Sequence, residues 1–469
     1  MKKYFKENYI LFVVLLLYLA GKFLLFDIGF WDAAMVSRPA LFLYENNFSS
    51  FLFPLGMCDD NIFMASGIAL LWKFFGCNLL VTQILFSVVG ICLIFQIYKF
   101  CQFFIKDNSI LPFVFLLVVS DTALITQSLL IMPDIIMLLF AFMSVNFMLR
   151  KRKIAFAVSL FFLAMIRARG FDLCIGIGLA YFVLLLRENN WKNPFKILGK
   201  ALLPFIPAIL IYTTLYIIHC TIFNLFSISR KDPAWENALD FVDFRRLAIN
   251  IAVLIRWFLD YGRIFFWLVF GVLLLKFGIK KIFSKKICTE WVIFGATFLL
   301  IALITLPFCN CFGSRYFIFE YVAFALIVGK LLFELLSKKR AKIIAILLLI
   351  GLWTGHFWVY FYPEKLSQNW DCTLSGIPYY EMRRDMIKYL DENEIEISET
   401  SLFYPTTATA NEIDLNGDKR YSGTSDTIKY SVYSNIGNML DEEIDSFKSK
   451  ELVKEWKQGA VFIRLYKNN

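Results

Sequence analysis

Tyr9-Ile-Leu-Phe-Val-Val-Leu-Leu-Leu-Tyr-Leu-Ala-Gly-Lys-Phe-Leu-Leu-Phe26 is followed almost at once by Gly29-Phe-Trp-Asp32-Ala-Ala34. As a helix the first stretch is about 27 Å long, close to the thickness of a bilayer's hydrocarbon core. Asp32 therefore emerges at the membrane edge, where an ionisable side chain is costly and by default marks function. Asp is also favoured as a helix N-cap, so its plain structural role would be to cap a helix over 33–45.

The same kind of run recurs, as in Ile154–Ile166 and Ile343–Leu352. Of the 469 residues, 59% are hydrophobic, 18% aromatic and 18% charged, against about 25% charged in a soluble domain. The pattern is that of a multi-spanning membrane protein. Met1-Lys-Lys-Tyr-Phe-Lys6 is basic, and the apolar run behind it is long enough to stay as a helix rather than act as a cleaved signal. The net charge of +10 does not indicate nucleic acid: Lys365–Asn469 carries 13 Lys+Arg against 18 Asp+Glu, a net of −5. The basic excess belongs to the apolar part and follows from membrane topology. The ten cysteines are scattered singly, without zinc spacing, and read as packing residues.

About eleven spans are expected: roughly 9–26, 79–99, 110–128, 133–149, 154–169, 171–186, 200–219, 262–277, 291–307, 317–335 and 343–360. Ile62–Phe75, at about 21 Å, is short for a span. If it does not cross, the N-terminal lysines, Arg150-Lys-Arg-Lys153, the 187–200 loop, Lys280, Lys281, Lys285 and Lys286, and Lys338-Lys-Arg340 all face the cytoplasm, a consistent positive-inside pattern. This places 62–75 as a juxtamembrane helix on the outer face, the N-terminus inside and the C-terminal region outside. The expected fold is an all-α polytopic membrane protein with outer-face juxtamembrane helices and a small C-terminal α/β extracytoplasmic domain. The division falls at 1–362 and 363–469. In the second part Pro378–Leu390 and Glu442–Lys457 read as helical, and Ser401–Tyr404 and Ala460–Leu465 as strands.

This sidedness gathers several charges on the outer face: Asp32 and Arg38, Asp59 and Asp60 before the juxtamembrane helix, Asp134 in Pro133-Asp134, Arg167 and Arg169 in Arg167-Ala-Arg169-Gly-Phe-Asp172, and Arg315 in Gly313-Ser-Arg315-Tyr316. A carboxylate can serve as general base on an acceptor hydroxyl. Arginine stays charged and grips phosphate oxygens bidentately. These chemistries suit glycosyl transfer from a lipid-linked sugar phosphate, with no cofactor required because arginines can stabilise the leaving charge. Each residue also has a structural reading. One of Asp59 and Asp60 suits the N-cap of 62–75, Pro133-Asp134 is a good helix start, and the arginines can snorkel to headgroups. A histidine-built metal site would need both histidines, His219 and His356, to converge.

The ordered set resembles the GT-C superfamily of integral-membrane glycosyltransferases, in layout the protein O-mannosyltransferase and lipid A aminoarabinose transferase families. Asp32 in Phe-Trp-Asp-Ala-Ala matches the acidic residue after the first helix. Ala69-Leu-Leu-Trp-Lys-Phe-Phe-Gly76 is similar to the end of the juxtamembrane helix, and Leu129-Leu-Ile-Met-Pro-Asp134 to the acidic opening of the fourth span. Arg167 or Arg169 matches a basic residue after the fifth span, and Arg315-Tyr316 an Arg-Tyr before a late helix. Where the family has His/Pro-Pro ahead of the juxtamembrane helix, this chain has Met57-Cys-Asp-Asp60. That departure bears on acceptor handling in the first loop and on any divalent metal held there. The resemblance implies a polyprenyl-phosphate sugar donor, inverting transfer, and a glycan, lipid or protein acceptor on the outer face of the cytoplasmic membrane. On this transferase reading Asp32 is the base, Asp134, Asp59 or Asp60 a second carboxylate, and Arg38, Arg167, Arg169, Arg315 and Tyr316 donor-side candidates.

Two other classes compete. A polysaccharide polymerase would carry a long Arg-rich central outer loop and no C-terminal domain. A flippase or transporter would show internal repeats and charges near the bilayer midplane, and no repeat is evident.

Overall fold

The computed structural model describes residues 2–51, 53–54, 57, 62–223, 240–284, 288–309, 313–366, 370–401, 408–423, 428–436 and 441–468. Each of the eleven apolar segments is helical, but the helices are not eleven uniform spans. In chain order they are α1 Lys2–Leu24, α2 Ser37–Glu45, α3 Ile62–Phe75, α4 Leu79–Phe104, α5 Leu111–Val119, α6 Thr122–Leu129, α7 Pro133–Leu149, α8 Lys153–Ile166 and α9 Ala168–Glu188. There follow α10 Pro194–Leu202, α11 Ile206–Phe223, α12 Phe244–Leu259, α13 Ile264–Phe277, α14 Ile279–Ile282, α15 Cys288–Thr305, α16 Ile318–Leu335 and α17 Lys338–Thr354. Among the described residues six helical stretches are long and apolar enough to cross a bilayer, or up to eight if two bent pairs each count as one. Four further apolar segments among the described residues, Asn8–Leu24, Ile62–Phe75, Pro133–Leu149 and Lys153–Ile166, are shorter. The chain is a multi-pass membrane protein with six to eight described stretches that meet the length and apolarity of a span.

One bend breaks the continuous helix expected over 110–128. The axis turns by 68° between α5 and α6. Asp121 causes it: its Oδ1 accepts from the backbone N–H groups of Ala123 at 3.0 Å and Leu124 at 3.2 Å. That satisfies donors the new helix would otherwise leave bare, which matters most where no water reaches. A second break, of 87°, separates α12 from α13, and Arg263 sits in the corner.

α16 is the hub. It is buried from Ile318 to Phe333, charged Glu320 and Lys330 included, because it packs against α5, α13, α15 and α17 on all sides. Its one lysine, Lys330, is paired inside the bundle with Glu290 of α15. Lys22 of α1 is likewise buried and donates to the Leu129 carbonyl at 2.7 Å.

The C-terminal part holds α18 Pro378–Glu392, α19 Ala410–Asp414, α20 Asp441–Ser446 and three strands, β1 Tyr430–Ser434, β2 Glu451–Gln458 and β3 Val461–Lys467. The strands form an antiparallel sheet in the order β1-β3-β2. The helix expected at Pro378–Leu390 and the strand at Ala460–Leu465 are present. The helix expected over Glu442–Lys457 is corrected: it ends at Ser446, and 451–458 is an edge strand. Its Glu and Lys spacing imitates a helix. However, Gly459 at φ +62° turns the chain back and offers the buried face of β3 as a partner. The strand expected at Ser401–Tyr404 lies almost wholly outside the described residues.

This C-terminal part is clasped to the first loop. Phe30 N donates to Ile413 O at 2.8 Å, Arg384 Nη2 lies 2.7 Å from Asp27, and the Trp31 and Tyr380 rings are 6.0 Å apart. Gly29 permits the approach, since a Cβ there would fall 2.3 Å from the Ile413 carbonyl oxygen.

Candidate functional site

Asp32 lies in the turn between α1 and α2. The helix over 33–45 starts later, at Ser37, so the side chain caps nothing. It is the Asp32 carbonyl that receives Met35 N at 3.1 Å and Val36 N at 3.0 Å. Freed from capping, the carboxylate points at Arg315, whose Nη2 donates to Oδ2 at 3.0 Å.

Arg315 sits in a short 3-10 turn, Ser314–Phe317, leading into α16. Besides Asp32 it donates from Nη1 to Asp371 at 2.8 Å, and its Nε is 3.7 Å from Asp134. Asp134 is where the sequence puts it, in the first turn of α7 behind Pro133, and its side chain is fully buried. Both its oxygens accept from Arg167 Nη1 at 3.2 Å. Arg167 is the extended residue between α8 and α9, at φ −166°, so the chain reversal itself aims the guanidinium at the start of α7. Arg169, two residues on, lies over the Tyr316 ring with its guanidinium carbon 2.9 Å from the centroid. Its Nη1 is buried without a hydrogen-bond partner among the described residues.

The cluster thus contains three carboxylates, Asp32, Asp134 and Asp371, and three guanidiniums, Arg167, Arg169 and Arg315. Their charges balance, which is what allows so many to be buried near one another. The balance is uneven in detail. Arg315 touches three carboxylates and Arg167 one, while Arg169 has a ring and spare donor capacity. Asp371 is held above the ordinary carboxylate range: burial raises it most, Asp32 and Asp134 add to the rise, and Arg315 opposes them.

Of the residues expected in the site, the structure brings together Asp32, Asp134, Arg167, Arg169, Arg315 and Tyr316. Arg38 is not in this network: its Nε is 2.7 Å and its Nη2 3.2 Å from the Glu412 carboxylate in α19. It belongs to the clasp between first loop and C-terminal part. Asp59 and Asp60 lie outside the described residues, as does the side chain of His219. His356 is buried, with Nδ1 accepting from Leu374 N at 3.2 Å.

Two features are absent from the sequence reading. Asp371 belongs to Trp370-Asp371-Cys372, in a region taken as a separate polar domain, and nothing in its neighbours marks it. The other is Arg263 with Asp121: Nε to Oδ2 at 2.6 Å, Nη2 to Oδ1 at 3.0 Å, Nη1 to Ser314 Oγ at 3.2 Å, and the guanidinium 3.6 Å from the Tyr321 ring. This second buried pair braces Ser314, the residue before Arg315. Its signal was visible as an acid in the middle of an apolar run.

This fold has a counterpart among solved structures. It is the fold of ArnT. Crystal structures of ArnT from Cupriavidus metallidurans, one bound to undecaprenyl phosphate and one in the apo state, each match with a TM-score of 0.53. Identity is 11% and 9%, over 97% of this chain and 97% of theirs. No family model and no curated protein sequence matches the chain. The likeness to ArnT is therefore one of fold.

Proposed function

We propose that this protein is a membrane glycosyltransferase moving a sugar from a polyprenyl-phosphate-linked donor to an acceptor on the outer face of the cytoplasmic membrane. The observation that carries the reading is the convergence of Asp32, Asp134, Arg167, Arg169 and Arg315, from four separate stretches of sequence, into one buried cluster whose charge Asp371 balances. The ArnT fold supports it, one of the matched structures being bound to undecaprenyl phosphate.

In the proposed reaction the acceptor oxygen attacks the anomeric carbon as the bond to the phosphate oxygen breaks, with inversion. Asp32 takes the acceptor proton, and polyprenyl phosphate departs. A phosphodiester becomes a monoester, so negative charge grows on the leaving group. Arg169, with its open nitrogen, is the natural first contact for that charge, and Arg315 the second. Arg315 also fixes the direction of the Asp32 carboxylate. Asp134 and Arg167 hold the shared wall.

The test is release of undecaprenyl phosphate from a panel of undecaprenyl-phosphate monosaccharides, followed by mass spectrometry with purified protein in bilayers. Turnover with at least one donor is expected, and its loss in Asp32→Asn. An Asp32→Asn protein that folds in the membrane and keeps full turnover would refute the base assignment.

A further inference from the structure

α7, α8 and α9 carry the site at one end: Asp134 opens α7, Arg167 follows α8 and Arg169 begins α9. At their other ends, about 25 Å away along seventeen-residue α7, the same helices, with Phe103 of α4 and Thr289 of α15, line a cavity of about 570 Å³. Its volume is in the range of specific small-ligand sites. The floor is aromatic and aliphatic, including Phe147, Phe156 and Tyr181, with the last two rings 5.2 Å apart edge to face. The lip is basic: Lys151, Arg152, Lys153 and Arg187 against one acid, Glu188. Lys151 pairs with Glu188 at 3.0 Å, so the lining carries a net charge of +3.

We infer that this cavity binds an anionic phospholipid, its phosphate headgroup at the Arg152–Lys153 lip and its acyl chains along the aromatic floor. The charge fits an anion, and the apolar floor at a helix-end level fits a lipid rather than a free ion. Under the positive-inside reading this end faces the cytoplasm, where basic pockets between membrane helices meet anionic headgroups. The site is independent of the transferase reading, for no residue of the Arg315 cluster lines it.

The test is native mass spectrometry and thermal melting of the full chain in detergent, with phosphatidylglycerol, phosphatidylcholine or inorganic phosphate added. One retained phosphatidylglycerol and a raised Tm are expected, with neither from phosphatidylcholine. The double variant Arg152→Gln/Lys153→Gln should bind about 30-fold more weakly, from the usual worth of two basic side chains beside an anionic headgroup. The swap Arg152→Lys/Lys153→Arg should retain binding, which separates loss of charge from loss of fold. Equal retention of both lipids, an unchanged double variant, or displacement of the lipid by millimolar phosphate would each overturn the assignment.

Discussion

Asp32 and Asp371 hold one guanidinium between them: Arg315 reaches the first at 3.0 Å and the second at 2.8 Å. One carboxylate comes from the turn after the first helix, the other from the segment after the last membrane helix. In the proposed reaction only Asp32 handles a proton, so the two should respond differently to amidation. Asp32→Asn is expected to lower donor turnover about a hundred- to ten-thousand-fold, chiefly in kcat. Asp371→Asn should keep measurable turnover, because Asp32 still orients Arg315. Steady-state kinetics on both variants separates the roles.

Asp371 also gives a pH signature. Its carboxyl lies above its unfolded value. It therefore adds stability that is full below the unfolded value, about pH 4, and is lost as pH rises through the folded one. Asp371→Asn lacks this loss. The Tm of the variant minus that of the wild type should thus grow from acid to neutral pH. Melting curves from about pH 4 to 8 would show it, and a constant or shrinking difference would count against the burial argument.

The arginines should divide by partner. Arg169, with a buried nitrogen unpaired among the described residues, is expected to set donor affinity, so Arg169→Gln should raise KM for the donor about 10- to 100-fold, the worth of one charged hydrogen bond. Arg38 is tied to Glu412 in a mostly buried pair, and Arg38→Gln should leave KM near the wild-type value while lowering Tm by a few degrees, in keeping with about 1.5–3 kcal/mol for a charged hydrogen bond. Parallel kinetics and melting decide between a donor-binding and a clasping arginine at each position.

The buried Asp134–Arg167 pair predicts non-additivity. Asp134→Asn strands Arg167 in the bundle and should cost about 3–5 kcal/mol, seen as poor yield or a sharply lowered Tm. Asp134→Leu combined with Arg167→Met removes both charges and should recover much of the loss while remaining inactive. A double variant no more stable than the single ones would mean that the pair is not the stabilising unit.

The sequence made the helices legible because hydrophobic runs and basic loops report membrane burial directly. Ile62–Phe75 came out to the residue, as did Pro133–Leu149. Asp32, Asp134 and Arg315 were visible because a charge beside an apolar run is costly and needs a reason. The bend at Asp121 was hidden by the apolar residues on both sides, although the aspartate itself was the clue. Asp371 was hidden for a different reason: its burial depends on a tertiary contact with a distant turn, and nothing local in a polar segment announces that. The edge strand 451–458 shows the same limit, since its pairing with β3 decides a conformation that its own charge spacing does not.

The clasp that brings Asp371 onto Arg315 also imposes a schedule. A chain made from its N-terminus holds Asp32 from the start but lacks the far carboxylate until some 340 residues later, roughly tens of seconds at ordinary synthesis rates. During that interval Arg315, once inserted, has Asp32 and Asp134 but not Asp371, and the first loop lacks Ile413 and Glu412 to fasten it. The cluster is therefore completed only once the segment around Asp371 has been delivered, which makes the closed site a record of assembly beyond the membrane helices.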